Sequence, residues 1–215
     1  MQRYFDQNTV GIERRLAGAL SRLSTAIRAK TWSGATERGL SPTQGQALAV
    51  LLNRGPQRLS SLAPLLGVTA PSASDSVRAL VSKKLVTKLP DPDDKRAVRV
   101  QLTKAGRKIA QETAEWPDFL VAALDALTED ERRTMLVSII KMIRTLQVRG
   151  DIAPQRMCVG CAHFRPRQKG DSDHYCNLVK APLRPHQLRL DCPEQTPLPS
   201  TEADAVWQAF LTTVQ

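Results

Sequence analysis

The residues of this chain best suited to chemistry are its four cysteines, and all four fall in one stretch. Cys158-x-x-Cys161, then Cys176 after a gap of 14 residues and Cys192 after a further 15, lie in MCVGCAHFRPRQKGDSDHYCNLVKAPLRPHQLRLDCPE, while residues 1–157 contain none. Thiols at that density point to metal ligation rather than disulfides. The stretch has few large apolar residues and many prolines, so a core alone can hardly hold it, and a bound metal is the natural staple. A redox thiol pair or four incidental cysteines is the bland alternative.

Two centres suit the set. Four thiolates satisfy a tetrahedral structural zinc, but zinc ribbons usually offer two C-x-x-C knuckles and this stretch has one. An iron–sulfur cube takes thiolates at separate corners and tolerates wide spacing. An iron–sulfur cluster, of the 4Fe–4S type if cubane, is therefore the leading expectation for Cys158, Cys161, Cys176 and Cys192, with zinc the alternative. The order and spacing, with Phe164 soon after the knuckle and Leu178 two residues past the third cysteine, are similar to the cluster-binding segment of high-potential iron–sulfur proteins. Cys192-Pro193 is similar to the Cys-Pro that closes ferredoxin motifs. Phe164, Tyr175, Leu183, Leu188 and Leu190 are candidates for the dry shell that a cluster needs. His163, His174 and His186 are all the histidines of the chain, and each could replace a cysteine as ligand.

The rest of the chain must position and use such a centre. Residues 1–150 hold 24 Lys and Arg against 14 Asp and Glu, whereas residues 151–215 hold seven of each. A basic excess confined to one part suggests a polyanion partner, most often nucleic acid, or else a solvated basic surface. The start MQRYFDQNTVGIERR lacks the apolar region of a secretory signal, and no apolar run approaches the ~18 residues of a membrane span, so a cytoplasmic protein without a membrane partner is expected. No Gly-rich nucleotide loop, flavin fingerprint or nucleophile–base pair is present, which argues against an enzyme.

Apolar periodicity divides the basic part into helices. Ile12, Leu16, Leu20, Leu23 and Ile27 recur at three- and four-residue steps, predicting a long helix over about 6–31 broken by Gly34 and Gly39. Ser41-Pro42 is an N-cap and first-turn proline opening a helix that ends near Gly55-Pro56. LSSLAPLLGVTAPSASDSVRALVSKKLV then has the spacing of a helix-turn-helix: a short helix over Leu59–Leu66, a turn at Gly67, and a second helix over about 70–83 capped by Thr69. Val77, Leu80 and Val81 are expected inside. Ser72, Ser74, Asp75 and Arg78 are left outside, where small polar groups near a helix N-terminus suit close approach to base edges and phosphates. VTKLPDPDDKRAVRVQLTKAG reads as a hairpin with Lys95 and Arg96 at its tip, a basic wing whose arginine can enter the minor groove.

Asp91-Pro92-x-Asp94-x-Arg96, followed by Leu102-Thr103-x-x-Gly106 and preceded by the helix pair, resembles the winged-helix motif of MarR-type transcriptional regulators over about residues 6–148. The resemblance implies a homodimer with interlocked terminal helices, two winged lobes on a pseudo-palindromic double-stranded DNA operator, Arg96 in the minor groove, Asp94 bracing the wing, and Ser72, Ser74 and Arg78 on the recognition helix. Ala70 and Ala73 make that helix less basic than in many relatives. Residues 108–127 read as helical, interrupted at Trp116-Pro117. Thr128-x-x-Glu131 is a capping box for a helix bearing Met135, Leu136, Ile139, Ile140, Ile143 and Leu146, a stripe broad enough for a dimer partner. A terminal helix is expected from Ser200 to Val214, capped by Thr201 with Asp204 and covering the metal segment or the dimer helices.

The expected fold is mainly α with a small β-wing: a winged helix-turn-helix dimer over residues 1–150 plus a metal-stapled segment over 151–215. The expected function is a homodimeric DNA-binding regulator controlled by an iron–sulfur cluster on the four cysteines, sensing redox state, oxygen, nitric oxide or iron. The alternative is a repressor answering to a small organic ligand, with the cysteines holding a structural zinc.

Overall fold

A computed structural model describes residues 10–114, 118–168 and 171–213. Two compact units divide at Val121/Ala122. The expected helix start at residues 6–9, the interruption at Trp116-Pro117 and the tail end at Val214 lie outside the described residues.

In the first unit, α1 spans Ile12–Glu37. It runs on through Gly34, where the sequence predicts a break. Glycine inside a helix costs only about 1 kcal/mol, whereas Gly39, at φ 63°, supplies the left-handed residue that ends the element. Helix α2, Pro42–Arg54, opens on a reciprocal cap: the Gln44 N–H donates to Ser41 Oγ at 3.2 Å and Gln44 Oε1 accepts the Ser41 N–H at 3.3 Å. Strand β1 (Gln57–Arg58) leads into α3 (Leu59–Leu66), which Gly67 terminates in the αL conformation, and α4 (Ala70–Ser82) follows. Strands β2 (Val86–Pro90) and β3 (Val98–Leu102) form the hairpin, and β1 adds to its other edge in the antiparallel order β1-β3-β2. Helix α5, Lys104–Ala114, follows.

The core beneath these elements is built from Leu48, Leu62, Val77, Leu80, Val86 and Val100, all at most 1% exposed. Val100 is buried in the middle of its strand, while Val98, two residues away on the same face, is 38% exposed at the open end of the hairpin. Two expectations for α4 are corrected. Val81 lies 38% exposed rather than inside, and Ala73 is buried at 1%, because a 3.6-residue period places 73, 77 and 80 on one stripe and carries 81 past its edge. Ala73 therefore belongs to the core, and its small size says nothing about the charge of the outer face.

Helix α6 covers Asp118–Leu124, and the second unit continues with α7 (Glu129–Arg149). The capping box forms as expected, with the Thr128 N–H donating to Glu131 Oε2 at 2.8 Å and the Glu131 N–H to Thr128 Oγ1 at 3.3 Å. Beyond Gly150 a 3-10 turn at Cys158–Gly160 and strands β4 (Phe164–Arg165), β5 (His174–Cys176) and β6 (Ala181–Leu183) make an antiparallel sheet in the order β4-β5-β6. Strands of two or three residues leave no alternation to read, so this sheet has no signature in the sequence. Helix α8, Ser200–Thr213, contains Thr201, which therefore does not cap it.

The unit boundary falls before α7 rather than at 150. Ile140 of α7 shares one buried cluster with Met157, Val159, Phe164, Leu188 and Phe210, so this helix packs with the cysteine segment. Phe210 of α8 is fully buried there, its ring 5.4 Å from Trp207 and 6.1 Å from Phe164. The terminal helix thus covers the cysteine segment, one of its two expected positions.

Candidate nucleic-acid interface and thiol centre

The helix-turn-helix presents α4 by its N-terminus. Thr69 Oγ1 accepts the Ser72 N–H at 3.4 Å and lies 2.9 Å from Ser72 Oγ, so two of the expected interface residues form the cap itself. Ser72, Asp75 and Arg78 are exposed and Ser74 is half-buried. Asp75 and Arg78 form an exposed (i, i+3) ion pair at 3.1 Å. The arginine's planar donors suit a guanine edge or a phosphate.

The wing is set by a residue whose role no local pattern reveals. Asp91 is buried, and its carboxylate gathers donors from two side chains and two backbone groups. Arg58 Nε donates to Oδ2 and Arg58 Nη2 to Oδ1, both at 2.9 Å, and Arg99 Nε donates to Oδ2 at 2.8 Å. The N–H groups of Asp93 and Asp94 donate to Oδ1 at 3.0 and 3.1 Å. The Arg58 hydrogen bonds hold the Asp91 carboxyl far below the usual carboxylate range, outweighing burial. The bracing expected of Asp94 is thus performed by Asp91. Asp94 instead shapes the tip, accepting the Arg96 N–H at 3.0 Å and, through its carbonyl, the Ala97 N–H at 2.9 Å. Lys95 and Arg96 stand exposed at that tip.

The Leu-Thr-x-x-Gly sequence after the wing has a steric reason. Thr103 Oγ1 donates to the Lys84 carbonyl at 2.8 Å and accepts the Gly106 N–H at 2.9 Å. A Cβ at position 106 would overlap the Leu85 carbonyl. The first turn of α5 is thereby locked against the residues entering the wing.

In the second unit the four cysteines are unbridged: Cys161 is buried and Cys158, Cys176 and Cys192 half-buried. Burial pushes the Cys158 thiol up, and the neighbouring Cys192, Cys161 and Cys176 push it further, against the Arg189 backbone hydrogen bond. The Arg189 N–H donates to Cys158 Sγ at 3.2 Å and the His163 N–H to Cys161 Sγ at 3.5 Å. Cys176 pairs with Phe164 across β4 and β5, and the Cys192 N–H donates to the Arg156 carbonyl at 2.8 Å. Yet among the described residues no group of three His, Cys, Asp or Glu side chains is gathered tightly enough to hold a metal ion.

The expected dry shell is only partly present. Phe164 and Leu188 are buried and Leu183 and Leu190 half-buried, whereas Tyr175 is 40% exposed, because β5 alternates and Tyr175 falls on its outer face. His174 is buried among Phe164 and Phe210, its Nδ1 accepting the Arg167 N–H at 3.1 Å, which makes it part of the core. His163 Nε2 lies 3.3 Å from Thr196 Oγ1, and His186 is exposed.

The helix pair followed by the braced hairpin makes a winged helix-turn-helix fold. Residues 40–98 match the MarR family. The chain is 29% identical over 101 residues to the uncharacterized HTH-type transcriptional regulator YpoP of Bacillus subtilis, covering 46% of this chain and 72% of that one. It is 24% identical over 142 residues to YkoM of the same organism, likewise an uncharacterized HTH-type regulator, covering 66% and 92%. Among solved structures it is similar to Staphylococcus aureus MepR in its DNA-binding conformation (TM-score 0.55, 24% identity, 61% of this chain and 98% of that one) and in complex with DNA (0.53, 24%, 61% and 97%). The likeness to these structures is one of fold, and the family match covers about a quarter of the chain. No helix among the described residues is long and apolar enough to cross a membrane.

Proposed function

We propose that this protein is a homodimeric transcriptional regulator that binds a pseudo-palindromic DNA operator and adjusts its affinity through an iron–sulfur cluster held by Cys158, Cys161, Cys176 and Cys192. What supports the sensing half is that one compact unit carries four unbridged thiols, two of them accepting backbone N–H groups.

The DNA-binding half rests on the exposed outer face of α4 and on the braced wing with Lys95 and Arg96 at its tip. MepR, which shares this fold, is seen bound to DNA. Dimerisation is supported by α1, whose Ile12, Leu16, Leu20 and Leu23 form an exposed apolar stripe at 38–65% in the single chain, a surface that a second copy would cover.

Four cysteines with one C-x-x-C knuckle and two separate members suit a cluster, which takes thiolates at separate corners, better than the paired knuckles of a zinc ribbon. When bound, a cluster would supply reversible one-electron chemistry and sensitivity to oxidants, nitric oxide and iron supply. The chain's own part is mechanical. Ile140 of α7 packs on Met157 and Val159, which flank Cys158, so a rearranged knuckle would repack the helix expected to meet the partner. DNA binding and cluster stability would then be reciprocally linked.

The test is to purify the full chain without oxygen and to measure iron, sulfide, zinc and visible absorption, then operator affinity before and after the cluster is removed with a chelator and oxidant. Cluster absorption with an affinity change supports the reading. Stoichiometric zinc without colour overturns the cluster, and equal affinities overturn the coupling.

A further inference from the structure

Arg144 and Gln147, one turn apart on the same face of α7, each bury a polar atom that has no hydrogen-bond partner: Arg144 Nε and Gln147 Oε1. Both residues line a cavity of about 400 Å³ inside the carboxy-terminal unit, whose other walls include Arg156, Met157, Gln195, Pro197 and Leu198. Those walls are held by bonds of their own. Gln195 Nε2 and the Leu198 N–H both donate to the Gly160 carbonyl, at 3.0 and 3.1 Å, and Arg156 Nε donates to Asp191 at 2.6 Å. The Arg144 side chain is only 18% exposed, whereas the carboxylate beside it, Asp204 at 3.6 Å from Nη2, is 85% exposed and so screened by water. Among the described residues no carboxylate lines the cavity.

We propose that this cavity is a binding site for a small aliphatic hydroxycarboxylate. The carboxylate accepts from the Arg144 guanidinium, the hydroxyl donates to Gln147 Oε1, and the hydrocarbon part lies against Met157, Pro197 and Leu198. The site needs nothing bound to the four thiols. A buried donor and a buried acceptor left unmade are both costly, and native structures satisfy such groups, so an occupant should bring one acceptor and one donor. A volume of about 400 Å³ falls within the roughly 300–1,000 Å³ of small-molecule sites and far exceeds the ~30 Å³ of one water. With Arg156 already paired to Asp191, the charge short of a partner is that of Arg144, and it favours an anion. A zwitterionic amino acid would bring its ammonium beside that guanidinium, which makes a neutral hydroxyl the better donor. Both unpartnered atoms lie beyond several rotatable bonds, so rotamer changes present them to the occupant without moving the backbone. Because α7 forms one wall and the segment after Gly150 another, occupancy would clamp the two together and stabilise the unit.

The experiment titrates the full chain, as wild type, Gln147→Met and Arg144→Gln, with three probes of like shape: α-hydroxyisocaproate, isocaproate, which lacks the hydroxyl, and leucine, which replaces it by an ammonium. Calorimetry gives the affinities, and thermal unfolding follows the carboxy-terminal transition. Wild type should bind α-hydroxyisocaproate saturably, about tenfold tighter than isocaproate and tighter than leucine, with a raised carboxy-terminal transition. Gln147→Met should bind the two acids alike, at the isocaproate level, a loss of discrimination that damage to the fold alone would not give. Arg144→Gln should weaken both acids. No saturable binding of α-hydroxyisocaproate by wild type at millimolar concentration overturns the proposal, and so does leucine binding the tighter of the two. Should Arg144→Gln fail to fold, Gln147→Met decides: a preference for the hydroxyl that survives the substitution overturns the site.

Discussion

Arg58 and Asp91, 33 residues apart in the chain, meet in a two-point hydrogen bond at 2.9 Å and 2.9 Å that ties β1 to the turn of the wing. Arg99, on the strand between, donates to the same carboxylate at 2.8 Å. One buried acid thus binds two arginines of the wing base and leaves the tip to Lys95 and Arg96.

Removing that acid should misplace the tip. Asp91→Ala strands two guanidinium groups and two backbone N–H groups, and operator affinity should fall by roughly tenfold, about the worth of one base contact. Fluorescence anisotropy with operator DNA measures it. An unchanged affinity with a normal melting profile would show that the wing holds its shape without the brace.

The same pair fixes a pH expectation. Because the Arg58 hydrogen bonds lower the folded-state carboxyl, the brace's contribution is complete above the unfolded value of about 3.9 and is lost only as pH falls towards the lower folded value. The Asp91 carboxyl carbon, followed by NMR, should therefore show no inflection around pH 4, and the wing should stay folded through mildly acidic solution.

Arg96→Ala should weaken operator binding by about 1–3 kcal/mol if its side chain enters the groove. Arg96→Lys should recover part of the loss. A change near zero in the alanine variant would remove this arginine from the interface.

Gly106→Ala places a methyl group on the Leu85 carbonyl. Overpacking against backbone should cost at least about 1–3 kcal/mol, read by thermal or urea unfolding of the amino-terminal unit.

Phe210→Ala opens a cavity among Phe164, His174 and Trp207, all rings within 6.1 Å of it. A fully buried phenylalanine of this kind is worth about 3–5 kcal/mol. The carboxy-terminal unit should unfold earlier on heating, while the amino-terminal transition stays in place.

Local codes are legible in the chain as written. Ser41-Pro42, Thr128-x-x-Glu131, Gly67 and Gly150 each act within a few residues of themselves, so their elements start or stop where the sequence says. Gly34 misleads because a lone helical glycine is a small penalty that neighbouring turns overcome. Val81 and Tyr175 mislead for another reason: apolar character names a preference for burial, but the phase of the helix or strand decides who is buried. Asp91 escapes a linear reading since Arg58, which gives its carboxylate two hydrogen bonds, lies 33 residues away, beyond any spacing rule.

The amino-acid sequence by itself determined the helical periods, the caps, the basic hairpin and the clustering of four thiols, because each depends on covalent proximity and on a repeat of 3.6 or 2 residues. Only the tertiary structure decided which acid braces the wing and that α7 packs with the cysteine segment. Those choices are made by contacts between distant segments, where burial and opposite charge select partners that no local pattern names.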